Sequence, residues 1–193
     1  MGAQLRVFRR RIRSVQATKK ITKAMELIAS SRIVKAQQRL DASMPYLTQL
    51  VDAVSAAASH ASDVSKHPLT AKADKQERAA VLIITADRGL AGAYSTNSIK
   101  EGEALTRNLN DKGMTVLPFV VGRKGVSYYR FRGREMGGEY TGFTDQPSYA
   151  DAKRIGGDLL AAFHGDENQE GGVDEIHVVY THSVSYTHLR AHE

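Results

Sequence analysis

Few residues of this chain have the types and spacing that reactive sites need. It holds seven His and no Cys, which excludes thiolate metal sites, cysteine nucleophiles and disulfides. Three His (His182, His188, His192) fall in the last twelve residues, but no carboxylate cluster accompanies them, so no metal site is expected. No G-x-S-x-G elbow is present for a Ser-His-Asp arrangement. The element Thr85-Ala86-Asp87-Arg88-Gly89-Leu90-Ala91-Gly92-Ala93 puts glycines after an apolar run, where a helix N-terminus could cradle a phosphate. It lacks both G-x-G-x-x-G and G-K-[ST], and a tight turn explains its glycines better. Arg123, Lys124, Arg130, Arg132 and Arg134 interleave with Tyr128, Tyr129 and Phe131, the composition of a single-stranded nucleic-acid platform. On a helix, the same pattern packs its aromatics on a sheet and leaves its bases in water. Nothing here looks like an active site, and no cofactor is expected.

The elements that carry these residues are easier to read. Residues 2–58 predict one very long helix: no Gly lies between Ala3 and His60, and the only Pro is Pro45, where a kink is expected. Leu5, Ile12, Lys19, Glu26, Ile33, Leu40, Leu47 and Val54 form a seven-residue stripe, with Phe8, Val15, Thr22, Ala29, Ala36, Ser43, Leu50 and Ala57 as its companion. Such an a/d pattern asks for a partner helix in a left-handed coiled coil. Near its middle the stripe turns polar, while Ile21, Ala24, Met25 and Ile28 make a second apolar face. A helix with two apolar faces is touched from more than one direction. The phase set at Leu5 runs through to Val54, which argues against reading the basic N-terminus as a cleaved transit peptide.

Residues 59–78 are polar and read as a linker. Beyond them, Ala79–Thr85 and Thr115–Val121 are continuous apolar runs of the kind buried in parallel sheets, and Pro118 suggests an edge or a bulge in the second. A helix is expected over about 94–112, ended by Gly113, and a short basic helix over Gly122–Phe131. Residues 133–147 predict loop with a short strand around Glu139–Thr141; Ser148–Phe163 a helix capped by Ser148 and closed by Gly165; 166–172 an acidic loop; and Ile176–Thr181 another buried strand. Alternation of strand and helix predicts an α/β domain over 79–182 with a mostly parallel sheet.

Composition sets the bounds. An apolar fraction of 41% and a charged fraction of 25% are those of a folded protein. No apolar run approaches the ~18 residues of a membrane span, no secretory signal is expected, and Arg6 stands where a myristoylation signal wants Ser or Thr. Residues 1–40 carry eleven Lys or Arg against the single acid Glu26, a net +10; residues 41–193 carry sixteen bases against twenty acids, a net −4. The basic end is built to meet something negative.

Lys20-Ile21-Thr22-Lys23-Ala24-Met25-Glu26-Leu27-Ile28-Ala29-Ser30-Ser31-Arg32, continued by Ala36-Gln37, closely resembles the N-terminal signature of the gamma subunits of bacterial F-type ATP synthases. Asp87-Arg88-Gly89-Leu90-Ala91-Gly92 resembles that family's turn, and Val121-Gly122-Arg123-Lys124-Gly125 is a third match. The resemblance runs in order from about residue 2 to 181. It implies a non-catalytic rotor: a long N-terminal helix paired antiparallel with a C-terminal helix, standing as a central stalk inside a ring of alternating alpha and beta subunits. Proton flow turns a membrane c-ring, the stalk turns with it, and its asymmetric surface drives each beta subunit through its nucleotide-binding states. The partners implied are alpha, beta and epsilon subunits and the c-ring, with neither nucleic acid nor direct membrane insertion. The location implied is peripheral, on the cytoplasmic side of the cell membrane. Lys20, Ile21, Thr22, Lys23, Met25, Arg32 and Arg39 are the expected ring-facing contacts, and Asp87, Arg88, Gly89, Leu90 and Gly92 the turn motif. Exposed ion pairs of about 0–1 kcal/mol let such bases slide past acidic loops without locking. The fold class expected is α/β: a long N-terminal coiled-coil helix plus a Rossmann-like α/β domain.

Two departures stand out. Ala91 replaces the Cys usual in the family turn, a small-for-small change. The family's C-terminal helix has no counterpart, and residues 183–193 (SVSYTHLRAHE) do not resemble the family. A truncated gene product with a non-native tail is the expectation. Two further readings compete with the rotor: a basic coiled-coil nucleic-acid-binding protein, using the +10 arm, and a nucleotide-using α/β enzyme. The second apolar face at 21–28 has no use in a DNA-binding arm.

Overall fold

The computed structural model describes residues 2–60, 76–165 and 172–182. Helix α1 and the α/β domain belong to separate compact units. Helix α1 spans Gly2–His60, fifty-nine residues, and runs through Pro45. At 1.5 Å per residue it is about 88 Å long. It ends two residues later than expected, and most of the expected linker (61–75) lies outside the described residues, as do residues 183–193 of the tail.

The domain is a four-stranded, all-parallel sheet ordered β3-β2-β1-β4. Its elements are β1 (Arg78–Ile84), α2 (Tyr94–Asp111), β2 (Thr115–Val121), α3 (Arg123–Phe131), β3 (Gly138–Tyr140), α4 (Tyr149–His164) and β4 (Glu175–Val179). Strand β1 is apolar at every position after Arg78 because both of its faces are covered. Ala79, Val81 and Ile83 pack with Leu109 of α2 and with Val126 and Tyr129 of α3. Ala80 and Leu82 pack on the other side with Ile155 and Leu159 of α4. The chain steps from β1 to β2 to β3 with α2 and α3 on one face, then reverses past β1 to β4 with α4 on the other. Right-handed crossovers allow this reversal only if the helix changes face. Gly102 makes the approach of α2 possible, since a Cβ there would lie 2.6 Å from Ile83 Cδ1.

Three expectations need correction. Strand β4 is an edge strand, not a buried one: Val178 and the following Tyr180 are half or more exposed. Pro118 lies in a strand with neighbours on both sides, but β3 pairs only from Phe119 onward. The Pro118 carbonyl accepts from Gly137 N–H on that flank, so the missing N–H faces a stretch where no partner strand runs. Phe131, expected on the sheet, is 91% exposed at the end of α3. The cap of α4 follows expectation: Ser148 Oγ accepts from Asp151 N–H while Asp151 Oδ2 accepts from Ser148 N–H, a closed capping box.

Candidate functional site

Along α1, all seven residues expected to face a ring are exposed. With 100° per residue, Ile21, Ala24, Met25 and Ile28 share one face, and Arg32 and Arg39 extend it. The a/d stripe lies about 110° round the helix from it. Ile21 and Ile28 are more than half exposed and Met25 nearly so. Lys23 Nζ lies 3.0 Å from Glu26 Oε2, an exposed i,i+3 pair. The hydroxyls of Thr18, Thr22, Ser30, Ser43 and Thr48 each donate to the carbonyl four residues back, at 2.9–3.0 Å. This back-bonding satisfies the hydroxyls internally and leaves methyl and methylene groups to the surface. The arrangement can present a smooth apolar strip edged by long, mobile cations. It brings together no acid, base or nucleophile in catalytic geometry.

In the domain, Asp87 draws three loops together at the carboxyl ends of the strands. Its Oδ1 accepts from Arg123 N–H (3.0 Å), and its Oδ2 accepts from Gly142 N–H (2.8 Å), Thr144 N–H (3.0 Å) and the Thr144 hydroxyl (2.9 Å). The side chain is only 4% exposed. Burial pushes this carboxyl up, but the N–H groups of Gly142, Thr144 and Arg123 and the Thr144 hydroxyl outweigh it and hold the pKa at about 2. Arg88 adds an exposed ion pair to Asp145. The turn's left-handed residues are Leu90 (φ 62°) and Gly92 (φ 54°); Gly89 does not share that geometry, contrary to the simple tight-turn reading of both glycines. Leu90 is 93% exposed.

Two amides at the head of this turn are bonded within the domain. Ala86 N–H donates to Ser95 Oγ (3.2 Å) and Asp87 N–H to Thr144 Oγ1 (2.9 Å). The third sequence match is explained by packing. Gly122 has φ 92°, and a Cβ there would lie 2.4 Å from Thr85 O. A Cβ on Gly125 would lie 2.7 Å from Val120 Cγ1. Buried Thr85 locks the two strand ends, its hydroxyl donating to Val121 O (2.7 Å) and accepting from Gly125 N–H (3.0 Å).

The basic run of α3 is largely consumed within the domain. Arg130 pairs with Glu139, Arg134 with Glu103, and Arg132 lies 4.9 Å over the Tyr128 ring. Tyr129 is buried beneath them, and burial, then Glu103, pushes its phenol above the usual range. Among the described residues no group of His, Asp and Glu has metal-binding geometry, and no helix is long and apolar enough to cross a membrane.

The ATP synthase family model matches residues 4–192. The chain belongs to the ATP synthase family. Its curated relatives include the ATP synthase gamma chains of Acidothermus cellulolyticus (58% identical over 96% of this chain and 61% of that one) and Streptomyces coelicolor (55% over 96% and 60%). That of Thermobifida fusca is 52% identical over 99% of this chain and 62% of its own. The chain thus spans about three fifths of the length of the relatives it matches. The family match continues past residue 181, where the motif-level resemblance ends. None of these relatives supports the nucleic-acid-binding reading. The motifs mark Asp87, Gly122 and Gly125, but not the bonds that join Asp87 to Arg123, Gly142 and Thr144. The only sequence signal was that the two glycine motifs each follow an apolar strand.

Proposed function

We propose that this chain is the gamma, or central stalk, subunit of an F-type ATP synthase, coupling transmembrane proton flow to ATP synthesis by rotating within the alpha/beta ring. The observation that carries the reading is 52–58% identity to ATP synthase gamma chains over 96–99% of the chain. The proposed partners are the alpha and beta subunits around α1, and the epsilon subunit and membrane c-ring below. The chain is placed peripherally, on the cytoplasmic side of the cell membrane. The chain contributes no catalytic group; its role is mechanical.

The surface of α1 suits that role physically. A shaft inside a ring must be stiff, and it must offer contacts that can be exchanged at low cost. Lys20, Lys23, Arg32 and Arg39 supply exposed charges whose individual ion pairs are weak. Ile21 and Met25 supply apolar area, and Met adapts to a changing apolar surface without fixing one geometry. The proposed ring-facing set is therefore Lys20, Ile21, Thr22, Lys23, Met25, Arg32 and Arg39. The Asp87 turn is proposed as the rigid corner that displays Arg88 and Leu90.

The test is a pair of substitutions in a coupled synthase, with the chain extended by a relative's C-terminal segment. Met25→Lys adds a charge able to hold one rotary position; about 1.4 kcal/mol there slows escape about tenfold. Met25→Leu keeps volume and polarity. We expect Met25→Lys to assemble but pump fewer protons per ATP hydrolysed, and Met25→Leu to behave as the parent. Equal coupling in both variants would contradict the assignment of Met25 to the ring-facing surface.

A further inference from the structure

We draw no further inference here: the strongest candidate, the outward face of α4 where Gly156 and Gly157 lie between the exposed side chains of Tyr149 and Leu160, is a small-residue stripe, and nothing in the structure shows what covers it.

Discussion

Replacing Asp87 by Asn tests whether the strand-end corner is held by a charge or only by shape. The carboxylate accepts four hydrogen bonds from two loops distant in sequence. Its folded pKa of about 2 lies below the ordinary value of 3.8. A depressed carboxyl pKa stabilises the fold above the unfolded pKa and loses that contribution as pH falls through the folded one. The difference corresponds to about 2 kcal/mol, present above about pH 5 and lost between about pH 4 and pH 2. Asn keeps the size, but its amide donor must face either Arg123 N–H or the donors of Gly142 and Thr144, leaving at least one unpaired. The expected loss at pH 7 is about 2–3 kcal/mol, a urea midpoint lower by about 1 M. The chain has no Trp, and tyrosine emission reports the domain through buried Tyr129 and Tyr140. Unfolding followed at pH 7 and again near pH 2.5 should show the gap between parent and variant shrinking in acid. A gap of the same size at both pH values, or none at pH 7, would refute the argument from charge.

Gly122→Ala should cost more than about 3 kcal/mol, because the new Cβ meets Thr85 O at 2.4 Å and a left-handed φ of 92° is strained for any L side chain; thermal unfolding checks it, and a loss under 1 kcal/mol (of the order of a surface change) would count against the packing. Ser148→Ala should remove about 1 kcal/mol by opening the capping box with Asp151, measured the same way. A fragment spanning 76–182 should unfold in one cooperative transition, since both cores are complete within it; a broad, non-cooperative melt would show that the domain needs α1.

Much of this architecture is legible in local sequence, and the reasons differ by element. β1 and β2 announce themselves because a strand covered on both faces is apolar at nearly every position, and α4 because Ser148 and Gly165 are local stop signals. The place of a strand within the sheet is not local information. The run Ile176–Thr181 has the composition of an inner strand, yet β4 pairs only with β1 and leaves Val178 in water. Phe131 fits the amphipathic pattern of α3, but the helix ends there and the chain turns away before the ring reaches the sheet. The site divides in the same way. The α1 surface is readable because a helix fixes its own faces. The Asp87 network is not, because its donors Arg123, Gly142 and Thr144 lie 36–57 residues away, and only the order β3-β2-β1 brings their loops together.

The central claim is that α1 occupies the axis of an alpha/beta ring. Co-expression with the alpha and beta subunits of an F-type synthase, followed by purification through a tag on beta, tests it most directly. The account predicts that the chain elutes with the assembled ring at one copy per ring, and that this persists when the domain's Asp87→Asn variant is used. A ring that purifies without the chain, or a chain that binds isolated beta in equal amount with no ring formed, would contradict it.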